Sequence, residues 1–90
     1  MNRTKLNIRM DLLRVANAAF ELKTPFDEGF ATTFINRAKV EFQNNLTSET
    51  LLKDDLEKIQ GQMSVIQSDP LKRLRWGEKI MTLASRLGTL

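Results

Sequence analysis

Two adjacent carboxylate pairs, Asp27-Glu28 and Asp54-Asp55, are the acids in this chain closest to a catalytic arrangement. General acid–base chemistry needs two groups converging on one substrate. Neighbours on a helix diverge by about 100°, so neither pair converges. Asp27 and Glu28 suit a first helical turn, where negative charge meets the positive end of the helix dipole. Asp54 and Asp55 suit a solvated face. The sequence has no His, Cys or Tyr. That excludes disulfides, thiol nucleophiles, His-dependent catalysis and the usual zinc ligand sets. Gly29, Gly61, Gly77 and Gly88 are isolated, so no glycine-rich phosphate loop is present. The expectation is a non-enzymatic protein with no catalytic residue, no cofactor and no metal.

The most patterned surface is basic. Lys72, Arg75, Lys79 and Arg86 fall within about 60° of one another around a helix axis and extend along about 21 Å of it. Trp76 lies beside them, at the border with an apolar face of Leu74, Gly77, Ile80, Met81, Leu83, Ala84 and Leu87 that Arg73 interrupts. From residue 70 onward there are five basic side chains against Glu78 alone, a local charge of +4. Residues 47–69 carry five acids against two lysines, a local charge of −3. Lys72 and Arg73 would sit in a first turn, where the dipole disfavours cations, and Arg75–Lys79 is a like-charged i,i+4 pair. Stability alone does not select that arrangement. Lys72, Arg75, Trp76, Lys79 and Arg86 are therefore the candidate surface for an anionic partner. The competing reading is a solvated face, or pairing with acidic residues of the same chain.

These residues need elements to position them. The chain is 90 residues long, with 41 % hydrophobic and 28 % charged residues and a net charge of +3. That is one domain, residues 1–90, with the balance of a folded, soluble protein. Few Gly and Pro and no β-branched runs favour helices. The first helix is expected from Thr4 to Lys23, with Ile8, Leu12, Val15, Ala16 and Ala19 on its inner face. Leu6, Ile8, Met10 and Leu12 also alternate as a strand would, but no partner strand is apparent. A second helix is expected from Pro25, with Thr24 and Asp27 spaced as a capping box. It carries Phe30, Ala31, Phe34, Ile35, Ala38 and Phe42 inward and fades at Asn44-Asn45. Phe26, beside the loop, is less firmly placed. Met10, Met63 and Met81 read as core fillers.

A third helix is expected from Thr47 or Ser48, with Leu46 and Leu51 spaced as a hydrophobic staple. Leu52, Leu56, Ile59, Met63 and Ile66 fall within an arc of about 80°. So narrow a stripe resembles a coiled-coil seam and is a candidate for helix packing or self-association. Ser68-Asp69-Pro70 ends it, with Asp69 as cap and Pro70 as first residue of a fourth helix reaching about Leu87. A mid-helix glycine costs about 1 kcal/mol relative to alanine, so Gly77 implies close approach of another helix. Short connections favour antiparallel neighbours. The fold class is therefore all-α, a small up-and-down bundle of about four helices. Hairpins that complete their core by dimerisation are the alternative.

The functional expectation is a small helical protein-binding module: a regulator, inhibitor, adaptor or assembly subunit whose helix faces dock on a partner. That partner is a protein, with an acidic surface if it meets the basic stripe, and a homodimer is also open. The alternative is a nucleic-acid-binding protein using the C-terminal helix, with Trp76 stacking on a base. No membrane partner is expected, since no long apolar run occurs. Lack of cysteine fits a reducing, cytoplasmic setting.

Overall fold

A computed structural model of the chain describes residues 3–46, 49–67 and 69–88. Four helices and one short 3-10 turn make up the fold: α1 (Arg3–Phe20), α2 (Glu28–Asn45), α3 (Thr50–Gly61), the turn Met63–Val65, and α4 (Pro70–Gly88). No strand occurs among the described residues. The fold is all-α, as the apolar periodicity requires.

Cross-chain contacts fix the directions. Asp11 meets Arg37 while Arg14 meets Phe34, so α1 and α2 run antiparallel. Gln67 bonds Glu28 while Gln60 bonds Asn36, so α3 and the turn after it run back along α2. Asp55 meets Arg86 and Gln62 meets Lys79, so α4 runs antiparallel to α3. The α4 helix then packs extensively on α1 and closes an up-and-down bundle. Ile8, Leu12, Val15, Ala16 and Ala19 form the α1 contribution to the core. Ala31, Ile35, Ala38 and Phe42 come from α2, and Ile80, Leu83, Ala84 and Leu87 from α4.

The close approach expected at Gly77 is present. A Cβ there would lie 2.8 Å from Phe20 Cε1 and 3.0 Å from Ala19 Cβ. The missing side chain lets α4 come that near to α1.

Helix boundaries differ from the sequence reading at three places. The first helix ends at Phe20 rather than Lys23. Its last carbonyls are taken by a side chain from another helix: Arg73 donates Nε to Ala19 O, Nη2 to Ala18 O and Glu21 O, and Nη1 to Thr24 O, at 2.6–2.8 Å. The second helix starts at Glu28 and not at Pro25. Asp27 itself is its cap, accepting from Phe30 N at 2.9 Å, and no Thr24–Asp27 box forms. The third helix stops at Gly61, and its seam continues through the 3-10 turn. In such a turn residues three apart eclipse, so Met63 and Ile66 still face inward together.

Other inner-face assignments are corrected. Leu51 is 74 % exposed, so no staple forms with the buried Leu46. Phe30 stands at the surface, its ring tilted 57° against that of the half-buried Phe34, and Met10 is exposed beside the α1/α2 groove. Phe26, by contrast, is buried. The positions expected to begin the third helix, Thr47 and Ser48, and Ser68 before the fourth lie outside the described residues. Asp69 caps α4 as expected, accepting from Leu71 N and Lys72 N.

Candidate functional site

Along one side of the bundle, α3 and α4 enclose a groove of about 600 Å³. Ile59 and Leu83 form its floor. Lys58, Arg75, Lys79 and Arg86 stand around it, with Asp55 and Glu78 as the acids. A smaller concavity of about 250 Å³ continues it toward the start of α4 and shares Arg75 and Lys79. The periodicity of α4 creates this layout: its inner face buries Ile80, Ala84 and Leu87 against the core, which turns the basic stripe toward the edge facing α3.

Of the five residues expected to meet an anionic partner, four line this surface as exposed side chains: Lys72, Arg75, Lys79 and Arg86. Two are partly engaged within the chain. Arg86 Nη1 is 2.8 Å from Asp55 Oδ2, and Lys79 Nζ donates to Gln62 Oε1 at 3.0 Å. The side chains of Lys72 and Arg75 make no hydrogen bond or ion pair with any described residue. The free positive charge of the stripe is thus concentrated at the start of α4.

Trp76 does not present a stacking face. It is 2 % exposed, and its indole N–H donates to Ile59 O at 2.7 Å. Phe26 meets its ring edge-on at 5.3 Å between centroids. Indoles are buried when their N–H finds an acceptor, and the α3 backbone supplies one. Only an edge of the ring reaches the smaller concavity.

The seam residues are inside this one chain. Leu52, Leu56, Met63 and Ile66 are buried, and Ile59 is half-buried at the groove floor. Their narrow arc is explained by α3 packing in the cleft between α2 and α4.

A second concavity, of about 660 Å³, lies between α1 and α2. There Asp11 is buried, its carboxylate 2.9 Å from Arg14 Nη1 and 3.7 Å from Arg37 Nε. Both guanidiniums also sit over the Phe34 ring, at 5.4 and 5.3 Å. Attraction to the ring quadrupole and to the shared carboxylate fastens α1 to α2. Sequence reasoning passed over this cluster. An acid at position 11, one residue from the inner-facing Leu12, was its signal.

The two carboxylate pairs do not converge. Asp27 caps α2, Glu28 accepts from Gln67, Asp55 holds Arg86, and Asp54 is exposed. Among the described residues no group of three or more His, Cys, Asp or Glu could hold a metal ion. No helix among them is long and apolar enough to cross a membrane. No protein-family model matches the chain, and no curated protein or solved structure matches it.

Proposed function

We propose that this chain is a non-catalytic protein-binding module that docks through its α3/α4 face. The observation that supports the reading is the union of an apolar floor, Ile59 and Leu83, with a rim of Lys and Arg in one groove. Protein interfaces have this anatomy: an apolar centre that loses water, ringed by polar groups, with Arg enriched. The partner's facing surface carries carboxylates, because charge complementarity sets orientation and speeds encounter. A regulator, inhibitor, adaptor or assembly subunit works by such docking.

A photo-crosslinking residue in place of Lys79 tests this in the source cell. The control is the same residue in place of Asn17, which is exposed on α1. One protein joined at position 79 but not at 17, with and without nuclease, is the expected outcome. The purified pair then loses affinity when Arg75→Glu and Lys79→Glu are combined. No position-79 adduct from any protein removes the reading.

The second reading, nucleic-acid binding by the same stripe, rests on the exposed Lys72 and Arg75. A phosphate backbone leaves the apolar floor of Ile59 and Leu83 unfilled, and Trp76 offers no face to a base. Phosphate binding has a steep salt dependence, and Lys79→Gln with Arg86→Gln would lower the log–log slope by up to about two.

A further inference from the structure

The smaller concavity differs from the rest of the groove in one respect: no acid among the described residues lines it. Its apolar walls are Val65, Ile66 and the edge of Trp76, and its cations are Lys72, Arg75 and Lys79. Val65 is 58 % exposed, although its neighbour Ile66 is buried. Two of the three, Lys72 and Arg75, have no side-chain hydrogen bond or ion pair with any described residue, and Lys79 donates only to the neutral Gln62. The break of α3 at Gly61 creates the pocket, because the 3-10 turn carries Val65 away from the helix line and toward the start of α4.

We infer that this pocket is the anchor point for an acidic amphipathic helix of a partner protein. One apolar side chain of that helix enters between Val65, Ile66 and Trp76, and its flanking carboxylates meet Lys72, Arg75 and Lys79. The inference rests on the α3/α4 face being the docking surface. Charge and spacing select the occupant. Lys72 and Lys79 are two turns apart, about 10.5 Å along α4. Carboxylates two turns apart on a partner helix match that distance, with the anchor residue at the turn between them. An apolar helix would leave the free cations of the rim unpaired. A bare phosphate chain would leave the apolar walls unfilled.

The probe is a synthetic helical peptide with a central Leu and Glu residues three and four positions to either side. Comparison peptides carry Gln in place of every Glu. Trp76 is the single tryptophan of the chain and lines the pocket, so its emission reports occupancy. Saturable change of that emission is expected, with amide shifts concentrated at Val65, Lys72 and Arg75. The Gln peptide should bind at least about tenfold more weakly, and so should the Lys72→Glu, Arg75→Glu variant at unchanged helix content. Asn17→Glu, exposed on α1 and outside both α3/α4 concavities, should change affinity by less than about twofold.

Equal affinity for the Gln peptide overturns the inference, as do shifts confined to α1 and α2. Tighter binding of duplex DNA than of the Glu peptide at Val65 and Arg75 assigns the pocket to phosphates and also overturns it. A mass that doubles with concentration, and reverts in the Lys72→Glu, Arg75→Glu variant, assigns it to a second copy of the chain and overturns it too. A crosslinked partner at position 79 with no peptide binding overturns the anchor alone. Absence of both removes the docking surface itself.

Discussion

Arg73 sits in the first turn of α4, where its charge opposes the local dipole, yet its guanidinium lies at the C-terminal end of α1. That end exposes carbonyls with no intrahelical donor, and α1 has no basic residue in its own last turn. Four of the five guanidinium donors are used there, at 6 % exposure, and Phe26 lies against the same group at 5.5 Å. Lysine cannot span these acceptors with one ammonium. Arg73→Lys should therefore lower stability by about 2–4 kcal/mol in urea unfolding. An unchanged midpoint would show the four bonds contribute nothing net. The glycines make opposite predictions. Gly77→Ala forces a methyl against Ala19 and Phe20, and overpacking costs of about 1–3 kcal/mol outweigh the helix-propensity gain of about 1. Gly61 has no positive φ and nothing within 4 Å of a built Cβ, so Gly61→Ala should stabilise by about 0.4–1 kcal/mol. The close approach at Gly77 was legible in the sequence. Arg73 was visible only as a charge on the wrong face, because its acceptors lie 49 to 55 residues away.

Among the helices, α3 is the shortest, with twelve residues, of which Leu52 and Leu56 alone are buried. By comparison α1 buries six residues over eighteen. Local opening free energy follows buried contact, so amides from Lys53 to Gln60 should exchange with solvent deuterium faster than those from Leu12 to Ala19. Equal protection would mean that α3 opens only with the whole bundle. The same shortness explains an error in reading the sequence. The stripe from Leu52 to Ile66 has helical spacing throughout, so periodicity alone carries the helix past Gly61. The 3-10 turn preserves the inward direction of Met63 and Ile66 while ending the α-helix, and hydrophobic period does not distinguish the two geometries there. Likewise Asp27 displaced Thr24 as the α2 cap because both are good caps, and spacing favours neither. The self-association alternative arose from the narrow seam. A slender helix in a cleft between two others needs only a narrow stripe, and that is what α3 is. The exposed cations of the candidate site were legible, since they follow from angle around one helix. The pocket was not, since it requires the turn after Gly61 and α4 to be placed together.

At the scale of the whole chain, the two connections at one end of the bundle are tied to each other. There the α1–α2 connection meets the α3–α4 connection: Gln67 Nε2 donates to Phe26 O at 2.6 Å and to Glu28 Oε2 at 3.1 Å. Phe26 packs on Trp76, and Trp76 bonds the α3 backbone at Ile59. The indole thus touches α3, α4 and the α1–α2 connection at once. A probe in that position senses the loss of any of them. If the 90 residues unfold as one domain, urea transitions followed by Trp76 emission and by far-ultraviolet circular dichroism should superimpose. The Trp76→Phe variant cannot report by indole emission. It should still unfold in one transition by circular dichroism, at a midpoint lowered by the equivalent of about 1–2 kcal/mol for the lost N–H···O bond. An emission change that precedes the helix signal would mean that α3 leaves as a separate unit. The groove would then be built from a part that detaches, and docking on the α3/α4 face would require the partner to hold α3 in place. Superimposed curves instead mean that the groove is preformed, so a partner binds without ordering it first.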